Sequence, residues 1–478
     1  MTSVQRKPQP FLLLGSTSEG NNAVTLTGSD FERHKVISGI TGSGKSTFLA
    51  WIALSLLRLG IAFSLIDPHG DLCRLILQLL LSSDFFSSPK SFQKLWFVDF
   101  NRTDAAIAFN VLKQSHDSHS TANNVLEALH RSFVTVGTTA ALDNTFLAAT
   151  YVLAENNRPI TDIQQLLLDA SFRKSLLHNI SDPLVVQFFE SKLAEKANGN
   201  LIDSTMRRSF LLTFSPQLRN TLSQVENKLN FRAFMDNGVS CLFSLGGLDD
   251  QSKRLLGCLL MVGLEQAFLS RASVSPDRRF PYHVIVDEFP LFSASGDSFS
   301  IILEQVRKYA GTLYLAHQTQ SQLTKGVAGS LQNAIHIIMK AGTEDSSTLV
   351  SRFYRPQQEE TPDFFSFLYG ESSTPSPFAA VTNTQEARMI FENLQRQEAI
   401  VTLNGKVRLI TTPTLPIGKL DHAKLTALEN AYACRLLTQL SMLKLTEKAL
   451  DEEDQRSDVI AFPTKKAHGG KRVFRREP

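Results

Sequence analysis

Short runs of apolar residues, rich in β-branched and aromatic side chains, recur along this chain of 478 residues. Runs of this length and composition are typical of buried strands. Segments with helical spacing separate many of them, and this alternation indicates a mostly parallel sheet covered by helices on both faces. The predicted strands are His34–Ser38, Ala62–Asp67, Leu95–Phe100, Ser240–Leu245, His283–Asp287, Thr312–His317 and Ile335–Lys340. The pattern therefore predicts an α/β fold.

The region from residue 115 to residue 223 has a different pattern, with helical spacing and few strand signals. We interpret it as an all-α insertion domain. The sheet-containing domain would then be discontinuous and comprise residues 1–114 and 224–420. Residues 421–478 are expected to form a C-terminal helix followed by a charged tail.

A second type of β structure is predicted near residue 400. Asn404-Gly405 lies between the strand-like runs Ala399–Leu403 and Lys406–Thr411. An Asn-Gly pair in this position favours a tight turn, because both residues adopt the backbone conformations that a two-residue hairpin needs. We expect a hairpin that either closes one edge of the sheet or forms a small β appendage.

Composition is that of an ordinary globular protein, with 42% hydrophobic and 20% charged residues. The formal net charge is only +3, so any surface that binds nucleic acid would have to be local. The chain ends with an acidic cluster, Asp451–Asp454, and a basic segment, Lys465–Arg476. We expect a disordered tail there, and contact with DNA or anionic lipid is the alternative.

Cysteine usage and hydropathy point to a reducing cytoplasm. The cysteines stand alone in apolar stretches, so we expect each to be a small buried hydrophobic residue. They are Cys73, Cys241, Cys258 and Cys434. The apolar run near residue 12 is too short for a signal peptide, and no 18 apolar residues follow one another. We therefore expect no membrane-spanning helix.

A glycine-rich loop follows the strand His34–Ser38 and precedes a predicted helix, Phe48–Leu57. The loop is Gly39-Ile40-Thr41-Gly42-Ser43-Gly44-Lys45-Ser46, and Thr47 comes next. Glycines let successive backbone N–H groups wrap phosphates, and the helix N-terminus adds partial positive charge. Lys45 is expected to reach the β- and γ-phosphates, and the Ser46 hydroxyl to ligate Mg²⁺. The loop therefore predicts a nucleotide-hydrolysing P-loop ATPase with ATP and Mg²⁺ as cofactors.

Two acids end a later apolar strand, in the segment His283–Phe289. Asp287 is predicted to hold Mg²⁺, and Glu288 to polarise the attacking water. A strand ending in Asp-Glu is a weak signal alone, because acidic loop starts are common. Together with the phosphate loop it predicts the hydrolytic half of the site.

The strand Thr312–His317 is followed by Gln318. Ligands of such sheets bind at the carboxyl ends of the strands, where a polar side chain can orient water against a γ-phosphate. We predict that Gln318 senses the γ-phosphate and that His317 is structural. The alternative for Gln318 is a surface loop position.

Two further positions have competing interpretations. Asp67 and His69, in the turn Asp67–Asp71, lie at the same sheet edge and could act near the nucleotide or at a subunit interface. The alternative is a Pro-Gly turn whose Asp71 caps the next helix. Arg307, on a predicted helix Ile301–Tyr309, either solvates a helix face or reaches the γ-phosphate of a neighbouring subunit.

Taken together, these motifs resemble the HerA/FtsK superfamily of ring-forming DNA motors, and among them the TraG-type coupling ATPases of conjugation and type IV secretion. The similarity extends from about residue 14 to residue 416. The segments that carry it are ISGITGSGKSTFLAW, SLIDPHGDL, AFNVL, LTFSPQLRNTLSQ, GVSCLFSLG, VIVDEFPLF, LEQVRKYAGTLYLAHQTQSQL and IHIIMKAGTEDSSTL. Their order and spacing are far more specific than a phosphate loop alone.

The resemblance implies a RecA-like core and a homohexameric ring with DNA in its channel. By motif, the catalytic residues are Glu288, Gln318 and a trans-acting Arg307, and the metal ligands are Ser46 and Asp287. Membrane-bound coupling proteins carry N-terminal transmembrane helices, which are not evident here. We therefore expect a cytoplasmic protein, docked at the inner membrane through secretion-system or relaxase partners.

The expected function is ATP-driven translocation of single- or double-stranded DNA in conjugative transfer. Candidate pore segments are Ser293–Ser300 and Gln320–Ser330, which contains Lys325; the alternative is that both are ordinary loops. Two other functions stay open. One is a HerA-like motor that serves a separate nuclease in repair or phage defence, and the other is an ATPase that energises protein secretion without DNA. The intact Lys45 and Glu288 argue against an inactive relative.

Overall fold

An eleven-stranded sheet runs through the protein in the order β2-β1-β12-β11-β10-β3-β9-β8-β4-β7-β5. The structure, a computed structural model, describes residues 11–17, 21–114, 117–132, 140–192, 199–293, 302–303, 305–354, 376–379, 381–403, 405–419 and 421–439. The strands of this sheet are β1 (Leu12–Thr17), β2 (Ala23–Leu26), β3 (Lys35–Ser38), β4 (Ala62–Asp67), β5 (Leu95–Asp99), β7 (Ser240–Ser244), β8 (Tyr282–Val286), β9 (Gly311–His317), β10 (Ile335–Ile338), β11 (Glu398–Leu403) and β12 (Lys406–Thr411). A second sheet pairs β6 (Ala105–Ala106) with β13 (Thr438–Gln439).

The seven strands from β10 to β5 are all parallel to their neighbours. They coincide, within two residues at each end, with the seven strands that the apolar runs predict. The central strands β3, β4, β7, β8, β9 and β10 are buried along their whole length. A parallel sheet is buried on both faces, which explains why its strands appear in the sequence as continuous apolar runs. The predicted α/β fold with a mostly parallel sheet is confirmed.

Helices cover the sheet and fill the connections between strands. They are α1 (Gly28–Glu32), α2 (Lys45–Arg58), α3 (Asp71–Leu81), α4 (Ser91–Lys94), α5 (Ser118–Ser132), α6 (Ala140–Glu155), α7 (Ile163–Leu168), α8 (Ala170–Leu177), α9 (Pro183–Gln187), α10 (Gly199–Thr213), α11 (Pro216–Leu222), α12 (Phe231–Asn237), α13 (Asp250–Ser270), α14 (Lys325–Ser330), α15 (Thr343–Phe353), α16 (Thr384–Asn393) and α17 (His422–Leu436). Helix α2 begins three residues before its predicted start, because the phosphate loop itself supplies the first two helical residues, Lys45 and Ser46.

The predicted hairpin joins the sheet but does not end it, so the expectation of an edge or an appendage was wrong. Strands β11 and β12 pair with each other, and β12 then pairs with β1, which pairs with β2. The sequence did not predict β1 and β2. Gly15 allows this arrangement, because a Cβ there would lie 2.3 Å from the carbonyl oxygen of Thr411.

Between β6 and β7 the described residues of the predicted insertion, 117–132, 140–192 and 199–223, contain helices but no strand. Helix α5 from this region packs against α13, where Arg131 forms a buried ion pair with Glu265 at 3.1 Å. Burial raises the pKa of Glu265 to about 7, and Arg131 opposes that rise. Whether this region is a separate domain, with the boundaries given above, stays a prediction.

Helix α13 is long and apolar enough to cross a membrane, and 78% of its apolar window is buried inside the protein. It is the one such helix in the described part of the chain. Cys73, Cys241 and Cys258 are buried as expected, whereas Cys434 is exposed, so the expectation for that thiol was wrong. Cys434 lies on helix α17, whose buried face is formed instead by residues such as Tyr432.

The C-terminal helix α17 packs on the sheet-containing part of the protein. Tyr432 is 1% exposed, and its ring lies 5.0 Å from that of Phe92 and 6.1 Å from that of Phe97. The acidic cluster Asp451–Asp454 and the basic segment Lys465–Arg476 lie outside the described residues.

Candidate nucleotide-binding site

The phosphate loop connects the carboxyl end of β3 to the start of α2. Gly42 and Gly44 have φ angles of +81° and +107°, which side chains with a Cβ rarely adopt. Gly39 is required by a close approach, because a Cβ there would lie 2.9 Å from the Cβ of Met339. The loop backbone therefore takes the strand-loop-helix path that phosphate cradles use.

Lys45 is buried, and its Nζ donates hydrogen bonds to the carbonyl oxygens of Gly39 at 2.5 Å and Ile40 at 3.3 Å. Burial lowers the pKa of Lys45, while the nearby Glu288 and Asp287 raise it. The ammonium group thus lies between the loop and the two acids. Ser46 is exposed in the first turn of α2, where its hydroxyl is accessible to a metal ion.

The two predicted acids follow β8 directly. Asp287 is 6% exposed, and burial raises its pKa to about 6, with further increases from Asp67 and Glu288. Lys45 opposes this rise in pKa. A buried carboxylate among other carboxylates is electrostatically unfavourable in the nucleotide-free protein, and a bound divalent cation would reverse that.

Gln318 links the two halves of the site. Its Nε2 donates a hydrogen bond to Oε1 of Glu288 at 2.7 Å, and its Oε1 accepts one from the Thr41 hydroxyl at 3.2 Å. Glu288 has a left-handed backbone conformation, with φ of +49°, which is uncommon for a residue with a side chain and typical of functional turns. The side chain from the end of β9 thus joins the phosphate loop to the carboxylate after β8.

Asp67 has mainly a local role in the structure. Its carboxylate accepts hydrogen bonds from the backbone N–H groups of His69 and Cys73, both at 2.9 Å. It thereby holds the turn and the start of α3, for which Gly70 rather than Asp71 is the N-cap residue. The alternative interpretation, in which Asp71 caps this helix, was wrong on that point. His69 is exposed and near enough to Asp287 to lower its pKa.

His317 is buried at the end of β9 with its ring against Phe289. Its Nδ1 lies 3.1 Å from the carbonyl oxygen of Thr319, and burial lowers its pKa to about 4. A neutral, packed imidazole with a backbone partner fits the structural role predicted for it.

Arg307 lies at the amino ends of the parallel strands, on the side of the sheet opposite to the carboxyl ends that form the site. It is exposed just before the amino end of β9, where its charge contributes to lowering the pKa of His34. The segment predicted as the helix 301–309 includes a short 3-10 helix, Arg307–Tyr309. Within one chain Arg307 therefore does not reach the nucleotide site, and a role in a neighbouring subunit stays a prediction.

The structure places the remaining candidates as follows. Thr47 is half-buried in the first turn of α2. Of the candidate pore segments, residues 294–300 lie outside the described residues, and 320–330 forms a short 3-10 helix and α14. Sequence reasoning missed Gln397, whose backbone N–H donates a hydrogen bond to the Ser43 carbonyl oxygen of the phosphate loop, and Arg396, whose Cγ would lie 4.0 Å from a Cβ at Gly44. No motif marks them, because the contact depends on the path of the chain into β11.

Replacing Asp287 by asparagine is expected to stabilise the nucleotide-free protein at neutral pH. A carboxyl pKa raised from 3.8 to about 6 means that the folded state loses up to about 3 kcal/mol as pH rises through this window. Asparagine removes the charge and so removes that loss. Urea unfolding without Mg²⁺ should show the gain near pH 7.5 and none near pH 4, where the carboxyl group is largely protonated in the folded state.

Asp250→Asn is the control for that experiment, because Asp250 is 91% exposed at the start of α13. It should change the free energy of unfolding little at either pH. An equal gain for Asp287→Asn at both pH values would show that charge burial is not the cause.

Comparison with known proteins shows which family has a phosphate loop in this arrangement. The family model described as "Helicase HerA, central domain" matches residues 13–261, slightly more than half of the chain. No curated protein matches the chain. The family match includes the phosphate loop and Asp67, while Asp287, Glu288 and Gln318 lie beyond it.

Solved structures share the fold at low sequence identity. The unbound bacterial conjugative coupling protein TrwBdeltaN70 matches with a TM-score of 0.55 and 14% identity over 85% of this chain and 89% of that chain. TrwB in complex with ADP and Mg²⁺ matches with a TM-score of 0.55 and 13% identity over 87% of this chain and 91% of that chain. VirB4 of Thermoanaerobacter pseudethanolicus matches with a TM-score of 0.54 and 13% identity over 85% and 96%.

These structural matches confirm the fold that the resemblance implies, a core like those of coupling ATPases. The family match confirms the superfamily on the part of the chain that carries the phosphate loop. Together with the geometry of that loop, it identifies the chain as a member of the helicase HerA central-domain family of P-loop ATPases.

Proposed function

We propose that this protein is a Mg²⁺-dependent ATPase that translocates DNA in conjugative transfer or type IV secretion. The observation that carries the ATPase part is the hydrogen-bonded connection from Thr41 through Gln318 to Glu288. A side chain that contacts both the phosphate loop and the predicted base can couple γ-phosphate binding to water activation.

The residues present fit ATP and Mg²⁺. The glycine loop leaves room for phosphates at Gly42, where a Cβ would have no heavy atom within 4 Å. Ser46 and Asp287 supply the hydroxyl and carboxylate oxygens that Mg²⁺ prefers. Bound Mg²⁺ would neutralise phosphate charge, and TrwB, which shares the fold, has been solved with ADP and Mg²⁺.

Individual side chains of the protein would then perform separate parts of the hydrolysis reaction. Lys45 binds the β- and γ-phosphates, and Glu288 accepts a proton from the attacking water. Gln318 holds the Glu288 carboxylate in position through the 2.7 Å hydrogen bond and orients the water. Arg307, which is exposed at the amino ends of the parallel strands, would complete the site of the next subunit in a homohexameric ring.

DNA as the transported polymer is supported by the HerA helicase family and by the fold shared with a conjugative coupling protein. Cytoplasmic rings that dock on secretion-system or relaxase partners at the inner membrane would fit this role. Among the described segments, Gln320–Ser330 is the proposed contact with the DNA backbone. It follows the predicted γ-phosphate sensor Gln318, lies between β9 and β10, and contains Lys325.

Purified protein should hydrolyse ATP faster with DNA than without it. Contacts to the phosphate backbone are electrostatic, so the stimulation is expected to decrease steeply between low and moderate salt. The measurement is the ATPase rate with single-stranded, double-stranded and no DNA at two salt concentrations. Lys325→Ala should weaken stimulation and leave the DNA-free rate unchanged, while Lys424→Ala, on α17, is the matched control.

Two outcomes would contradict parts of this proposal. Hydrolysis that no DNA stimulates at either salt concentration would favour an ATPase that energises protein secretion. An absence of Mg²⁺-dependent ATP hydrolysis under all conditions would refute the ATPase assignment itself.

A further inference from the structure

The turn that precedes β11 contacts the phosphate loop from the side opposite to the acids. The backbone N–H of Gln397 donates a hydrogen bond to the carbonyl oxygen of Ser43 at 3.4 Å. A Cβ at Gly44 would lie 3.6 Å from the nitrogen of Gln397 and 4.0 Å from Cγ of Arg396. The turn therefore forms a wall of the loop at the residue before Lys45.

Several hydrogen bonds fix the backbone of this turn. Gln397 has a left-handed conformation, with φ of +75°. Its carbonyl oxygen accepts hydrogen bonds from the backbone nitrogen of Thr412 at 2.7 Å and from the Thr412 hydroxyl at 3.0 Å. The backbone N–H of Gln395 donates to Glu398 at 2.8 Å. These hydrogen bonds hold Gln397 in its uncommon backbone conformation. The fixed turn keeps the side-chain stem of Arg396 beside Gly44.

The head of Arg396 is accessible. The residue is exposed, and within the described part of the chain its guanidinium forms no ion pair. A cation held at the loop without a carboxylate partner is suited to bind a phosphate, because a guanidinium offers several donors and a permanent charge.

The strand order shows which phosphates it can serve. Strand β3 lies between β9 and β10. Glu288 and Gln318, which face the γ-phosphate in the proposed function, follow β8 and β9 on one side. The turn with Arg396 enters β11 on the other side, beyond β10. A nucleotide whose terminal phosphate lies at Glu288 thus presents its remaining phosphates nearer to Arg396.

We propose that Arg396 is a nucleotide-binding residue that pairs, within the same chain, with the non-transferred phosphates of the bound nucleotide. This inference rests on the proposed ATPase function and adds a residue to its binding site. Since those phosphates are present before and after hydrolysis, Arg396 would bind ATP and ADP alike. That property separates it from an arginine that acts on the transferred phosphoryl group.

The test is to measure the dissociation constants of ADP and of a non-hydrolysable ATP analogue, both with Mg²⁺, for wild type and Arg396→Ala. We expect both to weaken by a similar factor, about 10-fold, which is typical of losing a charge-assisted hydrogen bond. The turnover rate at saturating ATP should change less than about two-fold. Arg396→Lys should retain part of the affinity, because it keeps the charge.

Arg388→Ala is the matched control, since the guanidinium of Arg388 pairs with Glu392 on α16 and donates a hydrogen bond to the carbonyl oxygen of Thr343 on α15. Arg396→Gln provides a neutral variant of similar length if the alanine variant does not fold. Unchanged ADP affinity in either neutral variant would overturn the proposal, as would a large loss of turnover with normal ADP affinity. If wild type itself binds no nucleotide, the ATPase function fails, which is a distinguishable result.

Discussion

Lys45→Ala is expected to reduce ATP hydrolysis by about a thousand-fold or more and to weaken binding of Mg²⁺-ATP strongly. The Lys45 ammonium lies between the phosphate loop and two acids, with Nζ 2.5 Å from the Gly39 carbonyl oxygen. A second hydrogen bond, to the Ile40 carbonyl oxygen, holds this ammonium group inside the loop. Without Lys45, the negative charge of a triphosphate would lie near Asp287 and Glu288 without compensation.

The measurements for Lys45→Ala are the steady-state ATPase rate and titration with a fluorescent ATP analogue. Lys424→Ala, at an exposed position of α17, should behave as wild type in both. Thermal unfolding without nucleotide should show that the Lys45 variant is folded. Hydrolysis within ten-fold of wild type would mean that the phosphates bind elsewhere.

The parallel half of the sheet could be predicted because its strands are buried on both faces. Continuous apolar runs such as His283–Val286 indicate buried strands when helices alternate with them along the chain. The same reasoning placed Asp287 and Gln318 together, since parallel strands bring their carboxyl ends to one edge. The 2.7 Å contact between Gln318 and Glu288 is the local consequence of that topology.

The antiparallel edge could not be predicted in the same way. Strand β1 contains Gly15, which as a residue type disfavours strands, and only its contact with Thr411 shows why glycine is needed there. That contact joins residues nearly 400 positions apart, and periodicity within a short window cannot detect it. The hydrogen bond between Gln397 and Ser43 was missed for the same reason. Cys434 was misplaced because an apolar neighbourhood does not show which face of a helix is buried.

Glu288→Gln is expected to reduce turnover strongly while leaving ATP binding close to that of wild type. The amide has nearly the shape of the carboxylate, and its oxygen can still accept the hydrogen bond that Gln318 donates at 2.7 Å. The geometry of the phosphate loop, Gln318 and Asp287 should therefore persist. An amide cannot accept a proton from water, so the rate should decrease by about a hundred- to ten-thousand-fold.

The decisive comparison for Glu288→Gln is between single-turnover hydrolysis and equilibrium binding of Mg²⁺-ATP. Glu344→Gln is a matched control, because Glu344 is exposed in the first turn of α15. If Glu288→Gln hydrolyses ATP at the wild-type rate, another group accepts the proton and our role for Glu288 is wrong. Replacing Glu288 by a neutral glutamine removes a negative charge near Lys45, which should favour binding of the anionic ATP. A variant that loses ATP binding as well as turnover would therefore show that Glu288 shapes the phosphate site.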